Sequence, residues 1–327
     1  MEHQTGLIKC YPSTEPITVY TDLSSVTRSF LQKELQSSKY ICTDIESFLK
    51  QADKYCCIEY PDRCKLHIVF SSKEFVDRTL YIRVMKRVHC CMEYLKISKP
   101  IEYWLVPTNA LKRMPLHSRP ITPNNMNGGY TYPSNRRVFI YRLEEAPKVL
   151  IHETLHHSKY DSQHWPIKGI MELYKHFNID LDGCPSECTT SLLPNEAVVE
   201  FWAELYHLMF LSYEYKIPFK VLVEKEREFA IYQASKLLKH QRTLKNGVWR
   251  ESSHAFSYII LRSILLFDYE SITSIVAPYN QEILSRLCTM MIHVFNSDSY
   301  KLALATKQKK IKQFQDETLR MTCFGDF

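Results

Sequence analysis

Glycine is scarce in this chain of 327 residues, with 7 against 15 prolines. That excludes a collagen-like repeat and argues against glycine-loop-rich or many-turned all-β designs. No stretch of about 18 apolar residues occurs, so the sequence predicts no membrane span. The opening residues MEHQTGLIKCYPSTEP contain no apolar core of a secretory signal. Neither a G-x-x-x-x-G-K-[ST] loop nor a G-x-G-x-x-G is present, which leaves nucleotide binding unsupported. There is no internal repeat and no low-complexity block. An excess of one charge is missing too. The 42 basic and 36 acidic residues are interspersed and leave a net charge of +6. An acidic partner is permitted, but no nucleic-acid partner is expected.

What is present fits a globular protein: 45% of residues are hydrophobic and 24% charged. Eleven cysteines are many, and the number is odd. Cys56-Cys57 and Cys90-Cys91 are adjacent pairs, awkward for a disulfide ladder. With no leader, reduced thiols and a cytoplasmic location are expected.

Along the chain, residues 1–60 read as a separate helical segment, with apolar residues at helical spacing over Ser24–Leu35 and Thr43–Ala52. Pro61-Asp62-Arg63 is a turn signal and a candidate boundary. Lys65–Ser71 is strand-like, Lys73–Leu95 helical, and Ile101–Val106 a second strand. Gly128–Tyr132 and Arg136–Arg142 read as a hairpin. Glu144-Glu145-Ala146-Pro147 then places acids and a proline at a helix start. Beyond residue 165 helical patterns dominate: Ile167–His176, Asn195–Tyr213, Phe219–Gln241, Ser253–Phe267, Asn280–Phe295 and Tyr300–Thr322. The expected class is α+β and helix-rich, with a small mixed sheet early and parts at 1–60, 61–165 and 166–327.

The segment Ile151-His152-Glu153-Thr154-Leu155-His156 carries H-E-x-x-H on a helix. Residues four apart lie one turn above each other, so His152 and His156 can aim two imidazoles at one point, and Glu153 can reach a water there. Zinc suits such ligands. A catalytic zinc needs a third protein ligand, which Glu196 in Pro194-Asn195-Glu196 can supply. Glu200, one turn on, can accept a hydrogen bond from a ligand histidine. The plainer reading makes Glu196, Glu200 and Glu204 a solvated acidic stripe. Asp161 and His164 are other candidates for third ligand, and His157 points off the metal face.

His152-Glu153-x-x-His156 followed by Asn195-Glu196-x-x-x-Glu200 resembles the gluzincin metallopeptidases of the zincin superfamily. The strand–helix–strand–hairpin–helix order of residues 65–157 is similar to the zincin upper subdomain, with a backing helix, an active-site helix and an edge strand that binds extended substrate. The resemblance implies a zincin-like fold with a helical lower subdomain that supplies the third ligand. It implies one zinc per chain held by His152, His156 and Glu196, with Glu153 as general base and Glu200 orienting a ligand. Two features depart from it: the gap between His156 and Glu196 is long, and no exopeptidase motif stands near the edge strand. The phrase Ile140-Tyr141-Arg142-x-Glu144-Glu145-x-x-Lys148-Val149-x-Ile151-His152-Glu153 is also similar to uncharacterised proteins of large DNA viruses.

The expected activity is hydrolysis of a peptide or isopeptide bond in a peptide or protein substrate. Tyr258, or else His254, is the candidate donor to the developing oxyanion, unless Tyr258 is core. Gly128, Gly129 and Tyr130 are candidates for substrate contact at the edge strand, or Gly128-Gly129 is a simple tight turn. Cys184 and Cys188, at C-x-x-x-C spacing, are a weak candidate for a structural metal. Lys307–Lys312 reads as a solvated basic face or a site for an anionic partner. Two other functions compete: a non-catalytic zincin-like module that binds a partner and keeps zinc as a staple, and a helical interaction protein with a chance motif. The sequence leaves the oligomeric state open.

Overall fold

Alternating apolar residues build one mixed sheet of six strands in the order β1-β2-β3-β4-β6-β5. They are β1 (Ile17–Asp22), β2 (Lys54–Tyr60), β3 (Cys64–Phe70), β4 (Ile101–Thr108), β5 (Gly129–Tyr132) and β6 (Arg137–Arg142). The computed structural model describes residues 2–38, 45–73, 77–116, 119–132, 134–161, 164–180, 192–275, 277–311 and 317–325. β3, β4 and β6 run parallel, while β1–β2, β2–β3 and β5–β6 pair antiparallel. The class is α+β and helix-rich, with the sheet followed by a helical region.

Period-two patterning covers both faces of the sheet. Ile58, Leu66, Ile68, Tyr103, Leu105 and Ile140 join the main core, which includes the helix Arg78–Tyr94. That helix starts at Asp77, whose carboxylate accepts the Leu80 N–H at 3.1 Å. On the other face Val69, Trp104, Val106, Phe139 and Tyr141 pack against Leu31, Leu35, Ile45 and Leu49. Those four come from the helices Ser25–Ser37 and Ile45–Gln51.

The expectation of a helical segment 1–60 is therefore corrected. It contributes two strands of the sheet as well as the helices that cover one face. Pro61-Asp62-Arg63 lies between β2 and β3, with Asp62 at φ 58°. Antiparallel pairing of those strands makes it the turn of a hairpin.

Past residue 165, helices span Ile167–Phe177, Pro194–Tyr215, Phe219–Gln241, Gln281–Asn296 and Asp298–Ile311. Phe256–Leu261 is a π-helical turn that runs into the helix Arg262–Phe267. A helix reaching Thr322 is not formed. The backbone N–H groups of Leu319, Met321, Thr322 and Cys323 donate instead to the Lys112 carbonyl and the Glu145 and Glu226 carboxylates. No helix among the described residues is long and apolar enough to cross a membrane. Eight described cysteines are free thiols. Cys184 and Cys188 lie outside the described residues.

Candidate metal centre

The H-E-x-x-H helix spans Ala146–Leu155, and all ten of its residues are buried. Its Ala146, Val149, Leu150, Ile151 and Leu155 join the main core, its polar Lys148, His152, Glu153 and Thr154 are buried with them, and it packs between β6, the helix Arg78–Tyr94 and the helix Pro194–Tyr215. Pro147 sits in the first turn, where its missing N–H costs nothing. Glu145 precedes it at φ 62°. Its carboxylate does not cap the helix; it binds Lys112 Nζ at 2.5 Å and accepts the N–H groups of Met321 and Thr322. At the other end His156 keeps right-handed helical angles, φ −61° and ψ −19°, so its ring still stands one turn from His152.

The helix Pro194–Tyr215 crosses this one and is buried from Pro194 to Leu211. Glu196, Glu200 and Glu204 are 8%, 0% and 0% exposed, which rules out the solvated stripe. Its first turn brings Glu196 to the two imidazoles. His152 Nε2 and His156 Nε2 are 3.1 Å apart, and Glu196 Oε2 lies 3.6 Å and 3.7 Å from them. All three ligand atoms fall within 4.8 Å of one another. His152, His156 and Glu196 thus form a buried group that can hold a metal ion.

Carboxylates stand behind both rings. Glu200 Oε2 is 2.8 Å from His152 Nδ1, and Asp161 Oδ2 is 2.9 Å from His156 Nδ1. The hydrogen bond to Asp161 directs the His156 proton to Nδ1 and leaves its Nε2 lone pair on the shared point, while the Glu200 carboxylate faces His152 Nδ1 as an ion-pair contact without hydrogen-bond alignment. The His156 lone pair and the anionic oxygen of Glu196 repel one another unless a cation sits between them. Bonds of about 2.0–2.2 Å at tetrahedral angles place ligand atoms about 3.3–3.6 Å apart, close to the spacing seen. The residues present therefore fit a metal.

Electrostatics agree. Burial opposes charge on both rings, yet Glu196 and Glu200 raise His152, and Glu196 with Asp161 pushes His156 up to about 10. Burial likewise opposes the Glu196 anion, but His156 and His152 hold it well below the usual carboxylate range. The site favours positive charge at its centre. Glu153, 6% exposed, moves the other way, because burial lifts its carboxyl above the ordinary value.

Tyr258, on the π-helical turn, donates its hydroxyl to Glu196 Oε2 at 3.1 Å. Such turns recur at functional sites. Glu251 supports this one by accepting the N–H groups of Ala255 and Phe256. His254 stands behind Tyr258, ring centroids 6.0 Å apart, and adds positive field at Glu196. His157 turns away toward Thr131 Oγ1, 3.0 Å distant, and His164 is exposed. Gly128 and Gly129 border the cleft beside Glu153. A Cβ on Gly129 would meet Ile140 Cδ1 at 2.5 Å and the Phe139 carbonyl oxygen at 2.7 Å. Glycine is needed there for β5 to pack on its neighbours. Tyr130 is buried in the second core, stacked on Phe139, and faces away from the main core.

Two contributors, Lys148 and Asn127, escaped the sequence reading, and Asp161, a candidate third ligand there, takes a different place. Lys148 Nζ pairs with Glu200 Oε1 in a contact closed to solvent. Asp161 serves as the partner of His156, itself held by Asn195 Nδ2 at 3.1 Å. Asn127 borders the cleft with its Oδ1 buried and unpartnered. Lys148 stands four residues before His152, a spacing that signals a shared face, but its partner is remote in sequence. Compared with protein-family models, curated proteins and solved structures, the chain shows no match.

Proposed function

We propose that the protein is a zinc-dependent metallopeptidase of the gluzincin kind, which hydrolyses a peptide or isopeptide bond. The observation that carries this reading is the convergence of His152, His156 and Glu196 with a buried carboxylate, Glu153, beside them at a cleft. A structural zinc has no use for such a base. Zinc is the metal proposed because two imidazoles and one carboxylate suit it.

A zinc ion held by the three ligands would supply Lewis acidity and lower the pKa of a water molecule. Glu153 takes a proton from the attacking water and passes it to the leaving amine. Its raised pKa suits both halves of that transfer. Asp161 holds His156 in the tautomer that leaves Nε2 free, and the Glu200 carboxylate faces Nδ1 of His152. Tyr258 presents a hydroxyl donor at the ligand oxygen of Glu196, within reach of a developing oxyanion. The burial of these groups strengthens each contact. Eight free cysteines fit a reducing compartment.

The test is Glu153→Gln. The zinc-loaded parent is incubated with a peptide mixture, and new termini are read by mass spectrometry. Cleavage by the parent should stop on chelation and should be absent in the variant, which keeps one zinc per chain. A variant that cleaves as fast as the parent removes the peptidase reading. A parent that binds zinc and cleaves nothing favours the partner-binding module.

A further inference from the structure

Met321, in the stretch Leu319–Cys323 remote in sequence from the motif helix, forms one wall of the cleft beside Glu153. Met321 lines that cleft with Met126, Gly128, Val149 and Tyr258. The cavity there is about 20 Å³, roughly one water or one methyl group. His152, Glu153 and Glu200 also border it, whereas His156 and Glu196 do not. The cavity thus lies beside Glu153 and the Glu200-facing side of His152, away from His156.

This wall is fixed. Glu145 Oε1 accepts the N–H of Met321 and that of Thr322, each at 2.6 Å, and the same carboxylate is anchored by Lys112. Glu226 Oε2 accepts the Thr322 hydroxyl at 2.8 Å and the Cys323 N–H at 2.9 Å. Leu319 N–H donates to the Lys112 carbonyl at 3.0 Å. Lys112, Glu145 and Glu226 are buried, so withdrawing the segment would expose charges that are paired inside the protein. Opposite stands Val149 on the motif helix, whose Cγ2 would lie 3.4 Å from a Cβ on Gly128.

We propose that Met321 determines which residue can lie beside the scissile bond: the cleft takes glycine or alanine there and excludes longer side chains. This rests on the peptidase reading and names its substrate class. Backbone on that side of Glu153 is pinned, and Met321 is buried at 5% exposure. A substrate side chain longer than a methyl group must displace packed atoms. A pocket that is one or more methylenes too small discriminates by at least about tenfold.

The experiment titrates the zinc-loaded protein calorimetrically with the hydroxamates of N-acetylglycine, N-acetylalanine and N-acetylleucine. Their metal-binding group is constant and only the side chain varies. The parent should hold the first two at least about tenfold more tightly than the third. Met321→Ala should close that gap, and Met321→Leu, of similar volume, should keep it. Equal affinity of the parent for all three overturns the proposal, whatever the fate of Met321→Ala. So does an unchanged ranking in a Met321→Ala protein that retains one zinc. Failure of the peptidase reading looks different: the ranking holds, yet no peptide is cleaved and Glu153→Gln changes nothing.

Discussion

Removing the Lys148 ammonium tests the role of the buried charges behind the metal group. Lys148 and Glu200 are 0% and 1% exposed at their side chains and face each other directly. Lys148→Met keeps the length of the side chain and leaves the Glu200 carboxylate without its cation. Breaking such a pair costs about 3–5 kcal/mol. Glu200 keeps two offsets: His152 Nδ1 lies 2.8 Å from Oε2, and the field of Arg262 also favours the anion. The low end is therefore expected, about 3 kcal/mol, roughly a hundredfold in the unfolding equilibrium. Chemical denaturation of the metal-free protein reads this loss. Lys148→Met with Glu200→Met removes both charges and should recover part of the stability, since an apolar pair carries no desolvation penalty. Metal affinity should move the other way. The double variant loses the partner of His152 and should bind zinc about 10–100-fold more weakly in a chelator competition. The reasoning is refuted if Lys148→Met unfolds at the denaturant midpoint of the parent. It is equally refuted if the double variant is less stable than the single one.

Further expectations follow from individual contacts. Asp161→Ala frees His156 Nδ1 and should weaken zinc binding about 10–100-fold in the same competition; it should also lower the melting temperature of the metal-free protein, because His156 and Asn195 lose a buried partner. Gly129→Ala forces a Cβ against Ile140 and the Phe139 carbonyl and should cost about 1–3 kcal/mol on denaturation. His67 is stacked on Trp104 at 4.0 Å and contacts Tyr55 Oη at 2.5 Å; burial lowers its pKa to about 4. The unfolded ring titrates near 6.5, so the unfolded chain binds the extra proton between those values, and stability falls as pH drops from 6.5 toward 4. Between pH 7 and pH 5 this amounts to about 2 kcal/mol, and His67→Gln should flatten that part of the profile.

Local pattern made much of the fold legible, and long-range pairing hid the rest. Phe219–Gln241 reads as a helix from its spacing and forms one with those bounds. β3, β4 and the β5–β6 hairpin also stand where their apolar runs lie. β1 has strand formers in Ile17–Thr21 but stands at the sheet edge with Ile17, Val19 and Tyr20 exposed, so it has no buried face and only a short signal beside the helical patterns around it. β2 turns Cys56, Ile58 and Tyr60 inward, but the adjacent Tyr55-Cys56-Cys57-Ile58 run blurs the alternation in the sequence. Lys307 points to Glu228 at 3.0 Å, an ordinary surface pair, and residues 312–316 lie outside the described part. At the site, a spacing of four on one helix announced His152 and His156, and a second spacing of four announced Glu196 and Glu200. Nothing local marks Lys148 as the partner of Glu200, or Met321 as a wall of the cleft. Asp161 was a candidate ligand by residue type. Its place at Nδ1 of His156 depends on the turn after the motif helix, which side-chain spacing does not report.

The most direct measurement is a crystal structure of the zinc-loaded protein with anomalous data collected at the zinc edge. The account predicts one strong peak, bonded at about 2.0–2.2 Å to Nε2 of His152, Nε2 of His156 and a carboxylate oxygen of Glu196, with a coordination position left for solvent. A saturated protein with no peak between these three residues, or with its zinc held by other side chains, contradicts it.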